Sequence, residues 1–229
     1  MSSLYLDADY VYCTTVSGLD VYDIASEDLY AYIIYSGGFN AIWGNDDRIF
    51  IGTSAAGIKY VDKTCISGSL SEAVDVSSCL DDFSNLTAYS ALTSDYIRCL
   101  HGYGDIVMAV TDSGVDVIKI DPQSYRSYTV VTDAYKGFML SNDEFYYTIS
   151  GSEWSLNKVY TCLVDWSTPD YSWVTGSGVL ASSITINDIF ITERTGSAGI
   201  GNTVYIATSS GVYVIDEDSD RYAVYYVEG

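Results

Sequence analysis

The sequence predicts an all-β protein, a β-propeller of five four-stranded blades with six as the alternative, and three observations predict it. First, one phrase recurs: a turn Asp or Asn, a short apolar strand, a Thr/Ser/Gly turn, then an alternating strand that ends in Asp. Second, Val, Ile, Tyr and Thr dominate the runs between turns, as a pleated, half-buried surface prefers. Third, no stretch carries a convincing apolar period of about 3.6 residues, the mark of an amphipathic helix. Hairpin units repeated at this length mean a propeller or a solenoid, and four antiparallel strands per unit make a propeller blade.

The phrase opens at Asp9, Asp47, Asp105, Asp143 and Asn202, the Asp143 copy being degenerate. Intervals alternate between short (9 to 47, 105 to 143) and long (47 to 105, 143 to 202), which predicts insertions near 66 to 85 and between 152 and 200. A poorly marked sixth blade inside residues 65 to 95 is the alternative. Leu4 to Leu6 either opens the first blade or pairs with the last, leaving ring closure open. Strands before the phrase are predicted at Phe39 to Trp43, Ile97 to His101 and Ile184 to Thr192. Fourth strands are predicted at Tyr30 to Tyr35, Ser127 to Val131, Tyr171 to Val174 and Tyr222 to Val227. Ser71 to Phe83 reads as a loop or single turn. Gly18, Gly57, Gly114 and Gly211 occupy hairpin turns that favour a positive φ. Asp116 alternates with Val115 and Val117 as an outward residue, whereas Val212 to Ile215 is apolar on both faces and reads as more buried.

Composition narrows the function classes. The chain has 229 residues and is 48% hydrophobic, enough for a sizeable core. Two prolines (Pro122, Pro169) and no linker-like run predict a single domain over 1–229. A net charge of −21, from 31 acidic against 10 basic residues, excludes the usual nucleic-acid partner, because such binding draws its affinity from Lys and Arg displacing counterions. No window has the length and hydropathy to cross a bilayer, so membrane insertion is not expected. The start, Met-Ser-Ser-Leu-Tyr-Leu-Asp, has no basic region or apolar core of a signal peptide. Synthesis in the cytoplasm is therefore expected, with assembly into a particle such as a virion as one route out.

No cofactor motif is recognised. Asp216, Asp218 and Asp220 alternate as hard oxygen ligands can at the start of a calcium loop, but Arg221 stands where the loop glycine belongs. A solvated hairpin tip is the preferred reading. Cys99 and His101 share a strand face, but two ligands do not make a zinc site. Gly196-x-x-Gly199-x-Gly201 reverses the dinucleotide fingerprint and reads as a turn. Cys65 and Cys79 flank a Ser-rich stretch and would bridge it only in an oxidising setting. The 23 tyrosines include dense groups, of which Tyr30, Tyr32, Tyr35, Tyr222, Tyr225 and Tyr226 lie on outer strands and are interface candidates. Tyr offers large contact area at small entropic cost.

The phrase Asp-x-(apolar)₄-Thr-x-x-Gly-(apolar)-x-(apolar)-x-Asp resembles the propeller repeat of two-component-regulator sensor domains. It is also similar to uncharacterised propellers that bacteriophages encode as virion proteins. The resemblance implies a scaffold that presents loops to protein partners in a larger assembly, a virion surface or decoration protein among them. No Trp-Asp or Gly-His of the WD40 pattern occurs. The expected function is thus a non-enzymatic structural or interaction protein. The alternative is a carbohydrate-binding, lectin-like propeller with glycan partners, for which Trp154, Trp166 and Trp173 are the candidates. A glycoside hydrolase or lyase on the same frame ranks third, since carboxylates are abundant.

Overall fold

The computed structural model describes residues 3–66, 73–85, 92–120, 124–128, 134–141, 144–149, 155–160, 170–172, 185–196, 199–216 and 221–225. These fall into two compact units, residues 1–132 and 133–229. Five sheets occur among the described residues. None of the described helical turns is long and apolar enough to cross a membrane.

Unit 1 holds three sheets. The first runs β1 (Leu4–Leu6), β2 (Tyr10–Thr15), β3 (Gly18–Asp23) and β4 (Leu29–Ile34). The second begins β5 (Phe39–Gly44), β6 (Arg48–Thr53), β7 (Ile58–Asp62). After it come two short strands, β8 (Val74–Asp75) and β9 (Asp81–Asp82). The third sheet is β10 (Ile97–Tyr103), β11 (Ile106–Thr111), β12 (Val115–Lys119) and β13 (Ser124–Tyr128). Of the two placements open for Leu4 to Leu6, the structure shows the first: β1 pairs antiparallel with β2, Leu4 opposite Cys13.

The recurring phrase is a set of local hydrogen bonds. Thr15, Thr53, Thr111 and Thr208 each end a strand, and each hydroxyl donates to the carbonyl of the turn glycine, Gly18, Gly57, Gly114 and Gly211. The same oxygens accept from the backbone N–H of Ser17, Ala56, Ser113 and Ser210. A Thr hydroxyl therefore satisfies both a donor and an acceptor of a turn that the ladder leaves unpaired. The opposite turns use Asx chemistry. Asp7 Oδ1 accepts from Asp9 and Tyr10 N–H, as Asn45 Oδ1 accepts from Asp47 and Arg48 N–H. Thr53→Val is expected to destabilise the fold by about 1–3 kcal/mol, the cost of orphaning buried polar groups. Urea unfolding checks it, and a loss below a few tenths would mean water replaces the hydroxyl. Gly18, Gly57 and Gly211 have positive φ, whereas Gly114 makes its turn without one, contrary to expectation.

The described part of the first insertion is a clasp that adds to two sheets. Its β8 adds to the outer edge of β4 in parallel, Ala31 opposite Val74, and its β9 becomes the fourth strand of the second sheet against β7. Ile66 and Val76 enter the core of sheets one and two with Leu19, Ile33, Ile49 and Val61. Two readings of burial reverse. Asp116 is fully buried, because Thr93 covers it and donates from both N–H (2.9 Å) and hydroxyl (2.7 Å). Over Val212 to Ile215 only Tyr213 and Ile215 are buried, while Val212 and Val214 are half-exposed.

Unit 2 holds two sheets. One is β14 (Ala134–Ser141), β15 (Glu144–Ile149), β16 (Ser155–Tyr160) and β17 (Asp170–Ser172). The other is β18 (Ile186–Gly196), β19 (Gly199–Thr208), β20 (Gly211–Asp216) and β21 (Arg221–Tyr225). Tyr146, Ile189, Ile191, Val204, Ile206 and Ile215 pack between them. Here the phrase-opening Asn202 is structural: its amide donates to Glu144 Oε1 and to the Tyr146 hydroxyl, both at 2.8 Å, and that hydroxyl donates to Glu144 at 2.6 Å. The glycines 196, 199 and 201 continue a long hairpin ladder, Gly196 opposite Gly199, where a turn was expected to occupy them.

Candidate functional site

In a four-stranded antiparallel sheet the first and third turns share one end and the second turn lies at the other. In unit 1 the first turns of the second and third sheets meet, with Tyr5 of β1 beside them. The Asn45 amide donates to Gly104 O at 3.1 Å, and Tyr5, Gly44 to Asp47 and Gly102 to Asp105 line one pocket of about 550 Å³. Trp43 forms its inner wall, stacked on Phe50 with ring centroids 5.7 Å apart. Gly102 is required there: a Cβ would stand 2.3 Å from Ile106 O and 2.6 Å from the Trp43 ring.

Three carboxylates, Asp46, Asp47 and Asp105, rim this pocket and are exposed. Among the described residues none of them makes an ion pair. At the same end Arg48 and Lys63 are each already paired, and Lys119 stands on β12 opposite Ile106, the residue after Asp105. Arg48 Nε lies 2.9 Å from Asp62, and Lys63 Nζ lies 2.7 Å from Asp7. His101 lies 6.5 Å from Trp43, ring to ring. Burial pushes its imidazole down to about 4, the backbone hydrogen bond with Gly102 opposing. It is neutral at physiological pH and adds no positive charge to the rim. Trp43 is only 8% exposed, so the open aromatic face at the mouth belongs to Tyr103, 48% exposed. The pocket can therefore take a cationic group by Coulomb attraction with an aromatic flank.

Sequence reasoning placed these residues in turns but did not join them. The signal was the repeat phase: Gly44-Asn-Asp-Asp and Gly102-Tyr-Gly-Asp hold the same place in successive units. Of the interface candidates, Tyr30 packs on Tyr10 (5.0 Å) and Tyr35 stacks on Phe39 (4.7 Å), both against the core. Tyr32 is half-buried on β4, whose edge β8 occupies. Tyr222 and Tyr225 lie on β21, and Asp216 ends β20 opposite Arg221. Tyr226, Asp218, Asp220, Trp154, Trp166 and Trp173 lie outside the described residues. Cys65 and Cys79 are free thiols.

No protein-family model matches the sequence, and no curated protein matches it. Solved structures do. The chain is similar to the extracellular domain of a putative one component system from B. thetaiotaomicron, at 13% identity and TM-score 0.61 over 97% of this chain and 29% of that one. It is similar to a chain of a nidogen/laminin complex, at 9% identity and TM-score 0.61 over 96% of this chain and 80% of that one. The N-terminal domain of Nup159 matches at 10% identity and TM-score 0.55, over 96% of this chain and 63% of that one. The chain thus spans less than a third of the bacterial structure's length. At such identities the likeness carries the fold alone, and that fold is of β-propeller type.

Proposed function

We propose that the chain is a non-enzymatic propeller scaffold that docks on a larger assembly through the acidic end of unit 1. The observation that carries this reading is the pocket rim, three exposed carboxylates without a cation partner among the described residues. On a chain of net charge −21 such an end attracts a basic protein surface and repels phosphate and anionic lipid. A particle surface, such as a virion that the chain decorates, is the assembly toward which the repeat's resemblance points.

Sedimentation of native source material on a density gradient, with the chain located by mass spectrometry, tests the assembly. Co-migration with material far heavier than 25.1 kDa is expected. Migration as a free small protein would overturn the reading. Replacing Asp46, Asp47 and Asp105 together by Asn is expected to weaken association about tenfold at low salt, from a few tenths to one kcal/mol for each exposed charge. Unchanged binding would move the contact elsewhere. A glycan-binding role is the second reading, favoured by exposed Tyr103 beside Asp105. It ranks lower because the Trp43 ring, the best stacking platform in the pocket, is already covered.

A further inference from the structure

The clasp on the first sheet rests on little. Its β8 makes two register pairs with β4, Val76 N–H donates to Tyr32 O (2.9 Å), and Ile34 N–H donates to the Ser77 hydroxyl (2.7 Å). Without it, β4 would be an open sheet edge, with its backbone groups free to pair with another chain. Two 3₁₀ turns bracket the clasp: Lys63–Cys65 before it and Ser77–Cys79 after it. Both turns are anchored on the same core, the first through buried Ile66 and the second through Val76, Cys79 and Leu80. This common anchorage brings the last residue of each turn together, and the thiols of Cys65 and Cys79 share a hydrogen bond. Cys65 is exposed and Cys79 half-buried, so a reagent reaches the pair from solvent.

We propose that Cys65 and Cys79 form an oxidisable dithiol whose disulfide locks β8 over the edge of β4, where the reduced clasp is held by its hydrogen bonds and core contacts alone. The oxidant is a small external disulfide of the glutathione type. One thiol loses its proton, and its sulfur attacks the external disulfide, expelling one external thiolate and leaving a mixed disulfide. The second cysteine sulfur then attacks the protein-side sulfur, expelling the other external thiolate. Two S–H bonds are lost, one S–S bond forms between Cys65 and Cys79, and the external disulfide is reduced to two thiols. The hydrogen bond with Cys79, followed by burial and the charge of Asp62, pushes the Cys65 thiol up to about 11. Exchange at neutral pH is accordingly slow, and the reduced clasp persists until the oxidant prevails.

The test equilibrates the full chain with oxidised or reduced glutathione, blocks remaining thiols with iodoacetamide and maps peptides by mass spectrometry. A Cys65–Cys79 linked peptide is expected in the oxidised sample, with a rise in Tm of roughly 5–10 °C for closing a loop of about 15 residues. Proteolysis between residues 66 and 78 is expected to slow in the same sample. Alkylation of both cysteines under strong oxidation would overturn the proposal, as would linkage of either one to a different cysteine. Cys65→Ser alters an exposed side chain, so the variant should fold. It should lose the glutathione-dependent Tm shift, and a shift that survives would overturn the proposal equally.

Discussion

Lys63→Met is expected to lower the unfolding free energy by about 1–3 kcal/mol, because removing one member of a half-buried ion pair leaves the other charge uncompensated, at a cost between those of an exposed and a fully buried pair. Lys63 and Asp7 are 19% and 18% exposed in their side chains, and the ammonium lies 2.7 Å from Asp7 Oδ2. The same ammonium sits 5.5 Å from the Tyr5 ring centroid and 5.9 Å from that of Tyr12. Methionine keeps the hydrocarbon contact with both rings and deletes only the charge. Asp7 would still accept from Asp9 and Tyr10 N–H and from the Tyr12 hydroxyl, which is why the estimate stays below the full cost of an isolated buried carboxylate. Urea unfolding followed by tryptophan fluorescence measures it. A loss below about 0.5 kcal/mol would show that the pair behaves as a solvated surface bridge.

The pair also sets an acid limit. Burial raises the Asp7 carboxyl, but hydrogen bonds from Lys63, the Tyr10 and Asp9 backbones and Tyr12 outweigh it, and the net shift is downward. A carboxyl depressed in the folded state contributes stability above its unfolded pKa, about 3.9, and loses it as pH falls through the folded value. Wild-type stability should therefore fall below about pH 4, and the loss should be shallower in Lys63→Met, where part of the depression is gone.

Gly18→Val is expected to cost about 3 kcal/mol or more, or to abolish folding of the first sheet. At φ +150 a Cβ on Gly18 would stand 1.7 Å from Ile33 O and 2.8 Å from Ile33 C, both backbone atoms that cannot rotate away. The collision lies in the β3–β4 ladder, where Gly18 pairs with Ile34, so relief means breaking the pairing. Gly57→Ala is the contrast. Its φ is +64 and the nearest atom is Leu92 Cδ1 at 3.3 Å, a movable side-chain end, so a loss of about 1 kcal/mol from backbone strain is expected. Thermal unfolding of the two variants side by side checks both. Equal losses would mean that φ rather than the Ile33 backbone governs this turn.

Gly18 and Gly57 hold one phrase position yet differ in what surrounds them, and that difference marks the limit of sequence reading. Strand existence and order were legible, because alternation and turn chemistry act within a few residues. The Thr hydroxyl and its glycine carbonyl are local neighbours, so each copy of the phrase writes out its own turn. The fourth strand of the second sheet was not legible. β9 is two aspartates with no apolar alternation, and it is held from far along the chain by the Lys59–Asp82 ion pair and by the Tyr60 hydroxyl approaching Asp81 at 3.4 Å. Alternation put Asp116 outside, but Thr93 donates two hydrogen bonds to its carboxylate, a partner that no period reveals.

The candidate site divides in the same way. Acidic turns were visible as residues, and their common phase made it possible to count the units. That Asp46, Asp47 and Asp105 rim one pocket over Trp43 depends on the packing of the second and third sheets through Gly52, Gly102 and Ile97. The sequence by itself determined the all-β class, the repeat and the chemistry of each turn, since these rest on hydrogen bonds and steric limits spanning two to four residues. Tertiary structure alone decided which carboxylates stay free and which are spent on Lys63, Arg48 and Thr93. Charge pairing and desolvation depend on distance in space, and residues 7 and 63 or 93 and 116 become neighbours only when the sheets pack.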